Sequence, residues 1–316
     1  MKTGKPRKRF FWLWKIVQVF LLIVALCLVL DFGYSLKVGS NMVRWESEIQ
    51  RNREGVRQGC EAYTVAGDPG TALLMIHGIN ESPHAFQKAA PFLALQGVHC
   101  RCMRLAGFGE SVEAYQKADV ADWLASVDRE VVTLLKSHQR VVLLGHSLGG
   151  AIAIQYTLKN PGRVAGLVLV APAIDVASSR SPLFPVRFWN ELLGKILVFT
   201  DTVESPFGAD VLDPKVEESE LRTPFTPVKV IDQTFELIEM NRNRAQDLKL
   251  PVLVITASQD KVVDNEAAGG FFSAIPAAKK KHVLLSNSAH AVLVDFQWKA
   301  ACQHVIRFLE SLPSVR

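Results

Sequence analysis

Arg140-Val-Val-Leu-Leu-Gly-His-Ser-Leu-Gly-Gly-Ala-Ile-Ala-Ile-Gln155 joins an apolar run to a Gly-x-Ser-x-Gly pentapeptide formed by Gly145, Ser147 and Gly149. Residues 141–144 are β-branched or aliphatic without alternation, as in a strand covered on both faces, and 151–158 is compact and helix-compatible. The stretch therefore reads as strand, sharp turn and helix, with Ser147 at the tip. A serine there is forced into a strained backbone conformation, and residues without a Cβ let strand and helix pass closely enough. Its hydroxyl is exposed beside a helix N-terminus, which favours negative charge.

Such a pentapeptide also arises by chance, so its reading rests on residues farther along the chain. A serine hydroxyl is a weak nucleophile unless a base takes its proton and a third group orients that base. Downstream, the buried strand 251–257 leads into Ser258-Gln-Asp260, placing Asp260 just past a strand end. Asp264 competes for the role, but it stands before Asn265-Glu-Ala-Ala268 and reads as a helix N-cap. The strand 282–285 then leads into Ser286-Asn-Ser-Ala-His290, ahead of a terminal helix expected over 291–312. His290 is thus the expected general base, in the chain order Ser, Asp, His.

Upstream, the strand 72–76 ends in His77-Gly-Ile-Asn-Glu-Ser82, with a helix expected near Pro83. A loop here aims a backbone N–H at the space in front of Ser147, so the amides of Ile79 and Leu148 are the expected oxyanion donors. His77 is expected to order this loop, and His146 to pack beside the nucleophile. A strand at 98–105 leads into the turn Gly107-Phe-Gly-Glu-Ser111. The apolar positions Val120, Leu124, Val127, Val131, Leu134 and Leu135 recur every three or four residues, predicting a core-facing helix over 119–137. A strand over 164–170 comes after the elbow.

Composition sets the remaining bounds. With 316 residues and 49% hydrophobic content, the chain has ample material for a core. The formal charge of +5 misleads, because six basic residues (Lys2, Lys5, Arg7, Lys8, Arg9 and Lys15) stand at the N-terminus and leave 30 basic against 31 acidic elsewhere. Nothing here forms a nucleic-acid surface. The run 10–30 is broken only by Lys15 and Gln18; as a helix it is about 31 Å long, enough to cross a bilayer. Trp12 and Trp14 mark one interface, Phe32 and Tyr34 the other, and the preceding basic cluster puts residues 1–9 in the cytoplasm and the body on the far, periplasmic or extracellular side. Cleavage at Gly33-Tyr-Ser35 is the competing reading. Five cysteines at irregular spacing make neither a disulfide framework nor a metal site.

The expected organisation is a basic tail (1–9), a transmembrane helix (10–30), a stalk (31–59) whose charges form a solvated face, and a folded domain (60–312). Between 173 and 248 the strand and helix units give way to a stretch rich in proline and phenylalanine, including Pro182, Leu183, Phe184, Pro185, Phe188, Trp189, Pro206 and Phe207, with a helix expected over 227–244. We read it as a cap whose aromatic residues cover an apolar acyl or alkyl group.

Together, His77-Gly78, Gly107-Phe-Gly-Glu-Ser111, Gly145-His-Ser-Leu-Gly149, Asp260 and His290 resemble the α/β-hydrolase superfamily, in particular its monoacylglycerol lipase and lysophospholipase-like branch, also described as serine aminopeptidase-like. The resemblance covers about residues 60–312. Arg104 departs from it, since many relatives carry an acidic residue before the Gly-x-Gly turn. The resemblance implies a mainly parallel sheet of about eight strands, the first short or missing, with helices on both faces and an inserted cap. It further implies ester cleavage through an acyl-enzyme on Ser147, with His290 as base and Asp260 as its partner, no metal or organic cofactor, and an acyl ester or lipid as substrate. Peptidases, thioesterases and acyltransferases share this triad, and a non-catalytic module binding a lipid or protein is the reading outside enzymology. Epoxide and haloalkane hydrolysis are disfavoured, because those relatives carry a carboxylate where Ser147 stands.

Overall fold

Uninterrupted apolar runs become the middle of a sheet. The computed structural model describes residues 7–178, 188, 192, 194, 197–205, 208–217, 221–276 and 278–313. Its first element, α1 (Arg7–Glu48), is an unbroken helix. The strands β1 (Tyr63–Val65), β2 (Thr71–Ile76), β3 (His99–Met103), β4 (Arg140–His146) and β5 (Gly166–Val170) come next, with helices α2 (Ala89–Ala94), α3 (Val112–Lys117), α4 (Val120–Leu134) and α5 (Leu148–Lys159) between them. A two-stranded ribbon of β6 (Thr202–Glu204) and β7 (Phe225–Pro227) lies between β5 and β8, and α6 (Val228–Asn241) leaves it. The chain returns to the sheet in β8 (Val252–Ala257), α7 (Asn265–Ala274), β9 (Lys280–Leu285) and α8 (Trp298–Glu310).

The main sheet runs β1-β3-β2-β4-β5-β8-β9, with β1 antiparallel to β3 and every other pair parallel. Among the described residues it has seven strands, in keeping with about eight of which the first is short or missing: a single antiparallel strand precedes β2. In β4, β5 and β8 the residues after the first are buried without alternation, as parallel strands covered by helices require. One side of the core is closed by α4 packed on α5, the other by α2 packed on α8. The heptad-like stripe of α4 buries Trp123, Val127, Val131 and Leu134, and a reciprocal capping box between Asp119 and Asp122 starts the helix.

The order of strands reverses at β2: β3 lies on one side and β4 on the other. Loops leaving the C-terminal ends of β2 and β4 diverge there, opening the crevice in which α/β sheets bind ligands. The approach of the elbow to β2 is closer than any side chain permits. A Cβ on Gly149 would stand 2.1 Å from the carbonyl oxygen of Ile76, and one on Gly145 would stand 2.3 Å from that of Gly149.

Two sequence expectations change. The terminal helix begins at Trp298 instead of 291, because residues 291–297 form a loop around the fully buried Asp295 carboxylate, which accepts from the amides of Ala289, Leu212 and Asp213. The stretch near Pro83 is a 3-10 turn, Pro83–Phe86, rather than an α-helix. Of the aromatic residues read as lining a cap, Pro182, Leu183, Phe184, Pro185, Trp189, Pro206 and Phe207 lie outside the described residues, while Phe188 is exposed.

The contrast between two glycines checks this packing. Gly149→Ala is expected to abolish accumulation of folded protein. Gly269→Ala, in the middle of α7 with nothing within 4 Å of the new methyl, should stabilise by about 1 kcal/mol, read as a raised thermal midpoint.

Candidate active site

Ser147 occupies the left-handed region at φ 53°, between the end of β4 and the start of α5. The turn is held by its amide donating to Val170 O at 3.1 Å and by Ser147 O accepting from Gly150 N and Ala173 N. Strain of this kind is retained only where surrounding contacts over-determine it. The hydroxyl lies 2.9 Å from His290 Nε2, and His290 Nδ1 lies 2.8 Å from Asp260 Oδ2. The Asp260 side chain is fully buried, and its other oxygen accepts from the amides of Val262 and Val263 at 2.8 and 3.0 Å. Burial alone would push its carboxyl upward, but the adjacent imidazole and the two amides outweigh it and hold it below the usual carboxylate range. A permanent carboxylate there fixes the tautomer with Nδ1 protonated and Nε2 free to accept from Ser147.

Asp264 does not join this chain. Its carboxylate accepts from the amides of Glu266 and Ala267 at 2.8 and 3.0 Å, capping α7. The amides of Ile79 and Leu148 make no hydrogen bond to another protein group among the described residues. Ile79, Ser147 and His290 line one cavity of about 360 Å³, together with Val176, Val262, Arg222 and Asp210. A slightly larger cavity, about 430 Å³, lies between Arg242 and α7 and holds none of these three residues.

Behind the cavity is an ion pair that sequence reasoning missed. His146 Nδ1 faces Glu81 Oε2 at 2.8 Å, and its Nε2 faces the carbonyl oxygen of His290 at 3.0 Å. Both neighbours are acceptors, so both ring nitrogens carry protons and His146 is an imidazolium. Glu81 also accepts from Gly78 N at 2.8 Å and from Arg222 Nη1 at 3.1 Å. Both side chains are under 5% exposed. Burial would raise the Glu81 carboxyl and lower the His146 imidazole; their mutual attraction, reinforced at Glu81 by Arg222, reverses both shifts. The pair therefore ties the loop after β2 to the loop carrying His290.

His77 orders the same loop in its neutral form. It is fully buried, which depresses its imidazole to about 4, and Nδ1 donates to Gly78 O at 3.0 Å while Nε2 accepts from Leu105 N at 3.2 Å. Arg104, the residue that departs from the resemblance, pairs with Glu110 and donates to Phe108 O at 3.0 Å, bracing the Gly107-Phe-Gly turn. Asp210 was also unforeseen: its carboxylate accepts from Lys261 N at 3.0 Å and His290 N at 3.3 Å, between the loops that carry Asp260 and His290.

A serine on a strained turn at the switch point of a parallel sheet, joined through histidine to a buried carboxylate, defines a serine hydrolase of the α/β-hydrolase class. The model of the serine aminopeptidase S33 family matches residues 67–297, and the chain belongs to that family, in its monoacylglycerol lipase-like branch; it is a serine ester hydrolase. A thermostable monoacylglycerol lipase of Bacillus sp. (strain H-257) is 24% identical over 253 residues, covering 80% of this chain and 95% of the relative. The monoglyceride lipase of Homo sapiens is 25% identical over 237 residues, covering 69% and 74%. The crystal structure of a monoacylglycerol lipase of Paleococcus ferrophilus shares the fold with a TM-score of 0.68 at 20% identity, over 79% of this chain and 99% of that one.

The buried pair has a pH signature. Glu81 titrates below its usual range and His146 above its own, so the stabilisation from the pair is complete between the unperturbed values of about 4.3 and 6.5. It is lost as pH falls through the depressed Glu81 value, and as pH rises through the raised His146 value. Glu81→Gln is expected to cost on the order of 3–5 kcal/mol near pH 6. Thermal midpoints across pH should show the alkaline decline reduced in His146→Asn relative to the parent.

Proposed function

We propose that the chain is a membrane-anchored serine hydrolase cleaving carboxylic esters of lipid type, monoacylglycerol or lysophospholipid, through an acyl-enzyme. The observation that carries this reading is the hydrogen-bonded series Ser147, His290, Asp260, which ends at a cavity lined also by Ile79. His290 Nε2 takes the Ser147 proton as Oγ attacks the ester carbonyl, and Asp260 stabilises the imidazolium that forms. The amides of Ile79 and Leu148 bind the oxyanion; each such donor is typically worth about 3–4 kcal/mol in the transition state. The protonated His290 then gives its proton to the departing alcohol. Water enters, loses a proton to His290 and releases the acid from Ser147.

The region 173–248 is read as a cap over this site, since Val176, Ser205, Gly208, Asp210 and Arg222 line the cavity from above the sheet. Residues 10–30 are read as the membrane span, of which 11–30 are mostly exposed and apolar, with the N-terminus cytoplasmic and the catalytic domain on the far side. Lipid preference follows from that tether: a substrate dissolved in the same bilayer is met at high effective concentration.

A second reading draws on Asp210. A carboxylate lining the cavity supplies an anchor for a free amino group, the feature an aminopeptidase needs. Esters are favoured because this carboxylate already accepts two backbone amides, those of Lys261 and His290.

Labelling with a fluorescent fluorophosphonate is expected to be complete in the parent and absent in Ser147→Ala. Asp260→Asn, which favours the wrong imidazole tautomer, should lower kcat on the order of 10⁴-fold with the fold intact. A panel of acyl esters of rising chain length, with monoacylglycerol, lysophospholipid and an aminoacyl anilide, should show turnover of the long-chain esters. Turnover of the anilide alone would replace the esterase by the peptidase, and turnover of short esters alone would remove the lipid.

A further inference from the structure

Within the expected stalk (31–59), residues 31–48 continue α1 with Lys37, Arg44 and Glu48 exposed, and one side of the helix meets the folded domain. From Asp31 to Glu46, α1 is seated along the inserted ribbon β6–β7 and on α3. The Asp31 carboxylate, 5% exposed, accepts from the amides of Val198 and Phe199 at 2.7 and 2.9 Å. Ser35 Oγ donates to Phe199 O at 2.8 Å, and the Phe32 and Phe199 rings meet edge to face at 5.4 Å. Farther along, Asn41 Nδ2 donates to Glu204 Oε2 at 2.9 Å, Trp45 packs on Phe225 at 5.7 Å, and Glu46 accepts from Val112 N at 2.7 Å. Val38, Val112 and Phe225 form a small core of their own with Met42 and Trp45.

These contacts begin where the exposed apolar run stops. Residues 11–30 make about 30 Å of helix, the thickness of the hydrocarbon core, and an aspartate deeper than that edge is costly. Asp31 therefore marks the bilayer surface, and groups hydrogen-bonded to it lie at the same height. Beside it the surface remains apolar: Phe32 is 49% exposed, Leu36 60%, Val198 64% and Phe199 47%. This patch belongs to two chain segments far apart in sequence, and its Phe32 and Leu36 follow directly on the exposed apolar run of α1.

We infer that Phe32, Leu36, Val198 and Phe199 form a surface that rests in the lipid interface, with Asp31 as the clasp that holds the inserted ribbon to it. The inference rests on reading residues 10–30 as a membrane span. Its consequence concerns the cavity. From Phe199 the chain runs through β6 to Ser205, which lines the cavity, a reach of at most about 20 Å for six residues. The partner strand β7 begins three residues after Arg222, which lines the same cavity. Clasping the ribbon at the bilayer surface sets the cavity at a fixed, short height above the lipid.

The test uses the full chain in lipid nanodiscs, with Cys27 replaced by alanine and the environment-sensitive dye NBD on a single introduced cysteine at Val198, Leu22 or Leu284. Leu22 lies inside the apolar run and Leu284 is an exposed residue of the edge strand β9. Spin-labelled lipids are expected to quench the dyes at Leu22 and Val198 and to spare the one at Leu284. Asp31→Ala should bring quenching at Val198 down to the Leu284 level while leaving Leu22 quenched. Asp31→Asn, which keeps one acceptor oxygen, should lie between the two, and fluorophosphonate labelling of Ser147 identifies folded protein in each sample. Quenching at Leu22 without quenching at Val198 overturns the interface and leaves the anchor standing. Absence of quenching at both positions overturns the anchor and the interface with it.

Discussion

Everything at this site depends on how closely the elbow after β4 passes the end of β2. Gly145 and Gly149 leave no room for a side chain at that crossing. The space saved places Ser147 at the mouth of the crevice, with the amide of Leu148 beside it and the loop after β2 opposite. The strained turn holds the Ser147 hydroxyl on the cavity wall and within hydrogen-bond distance of His290 Nε2. The cost of the left-handed serine, of order 1–3 kcal/mol, is offset by the backbone bonds that clamp the turn.

Around that crossing, charge is used to fix loops. Glu81 and His146 form a buried ion pair whose remaining polar atoms meet Gly78, Arg222 and the His290 carbonyl. Buried charges survive only when each is paired and hydrogen-bonded, and this pair meets that condition by bridging three separate loops. On the other side Asp295, fully buried, accepts several backbone amides and Asp210 accepts two, so that each holds loops together. Thus the loops that place Ser147 and His290 are held by carboxylates other than that of Asp260.

The N-terminal helix joins the fold through the inserted ribbon rather than through the sheet. Its seat on β6, β7 and α3 couples the element that would meet lipid to the walls of the cavity. The family model matches residues 67–297, so the α1 side of this contact lies outside the match while the ribbon and α3 that receive it lie inside.

What the sequence by itself determined is what local physics can write into consecutive residues. Uninterrupted apolar runs specified the buried strands β2, β4, β5 and β8, because a strand covered on both faces has no polar side to alternate with. Glycine spacing marked the elbow, since only a missing Cβ permits that approach, and Asp260 and His290 were legible as polar residues stranded just past apolar strand ends. Tertiary structure alone decided the rest. Glu81 and His146 are 65 residues apart and Glu81 and Arg222 are 141 apart, and none of the three reveals its partner in isolation. Asp295 hid within an apolar-looking helix start, and Asp31, Asn41 and Glu46 within an apparently solvated stalk. Their partners are mostly backbone amides supplied by distant segments, and a backbone amide carries no signature in the identity of the residue that bears it.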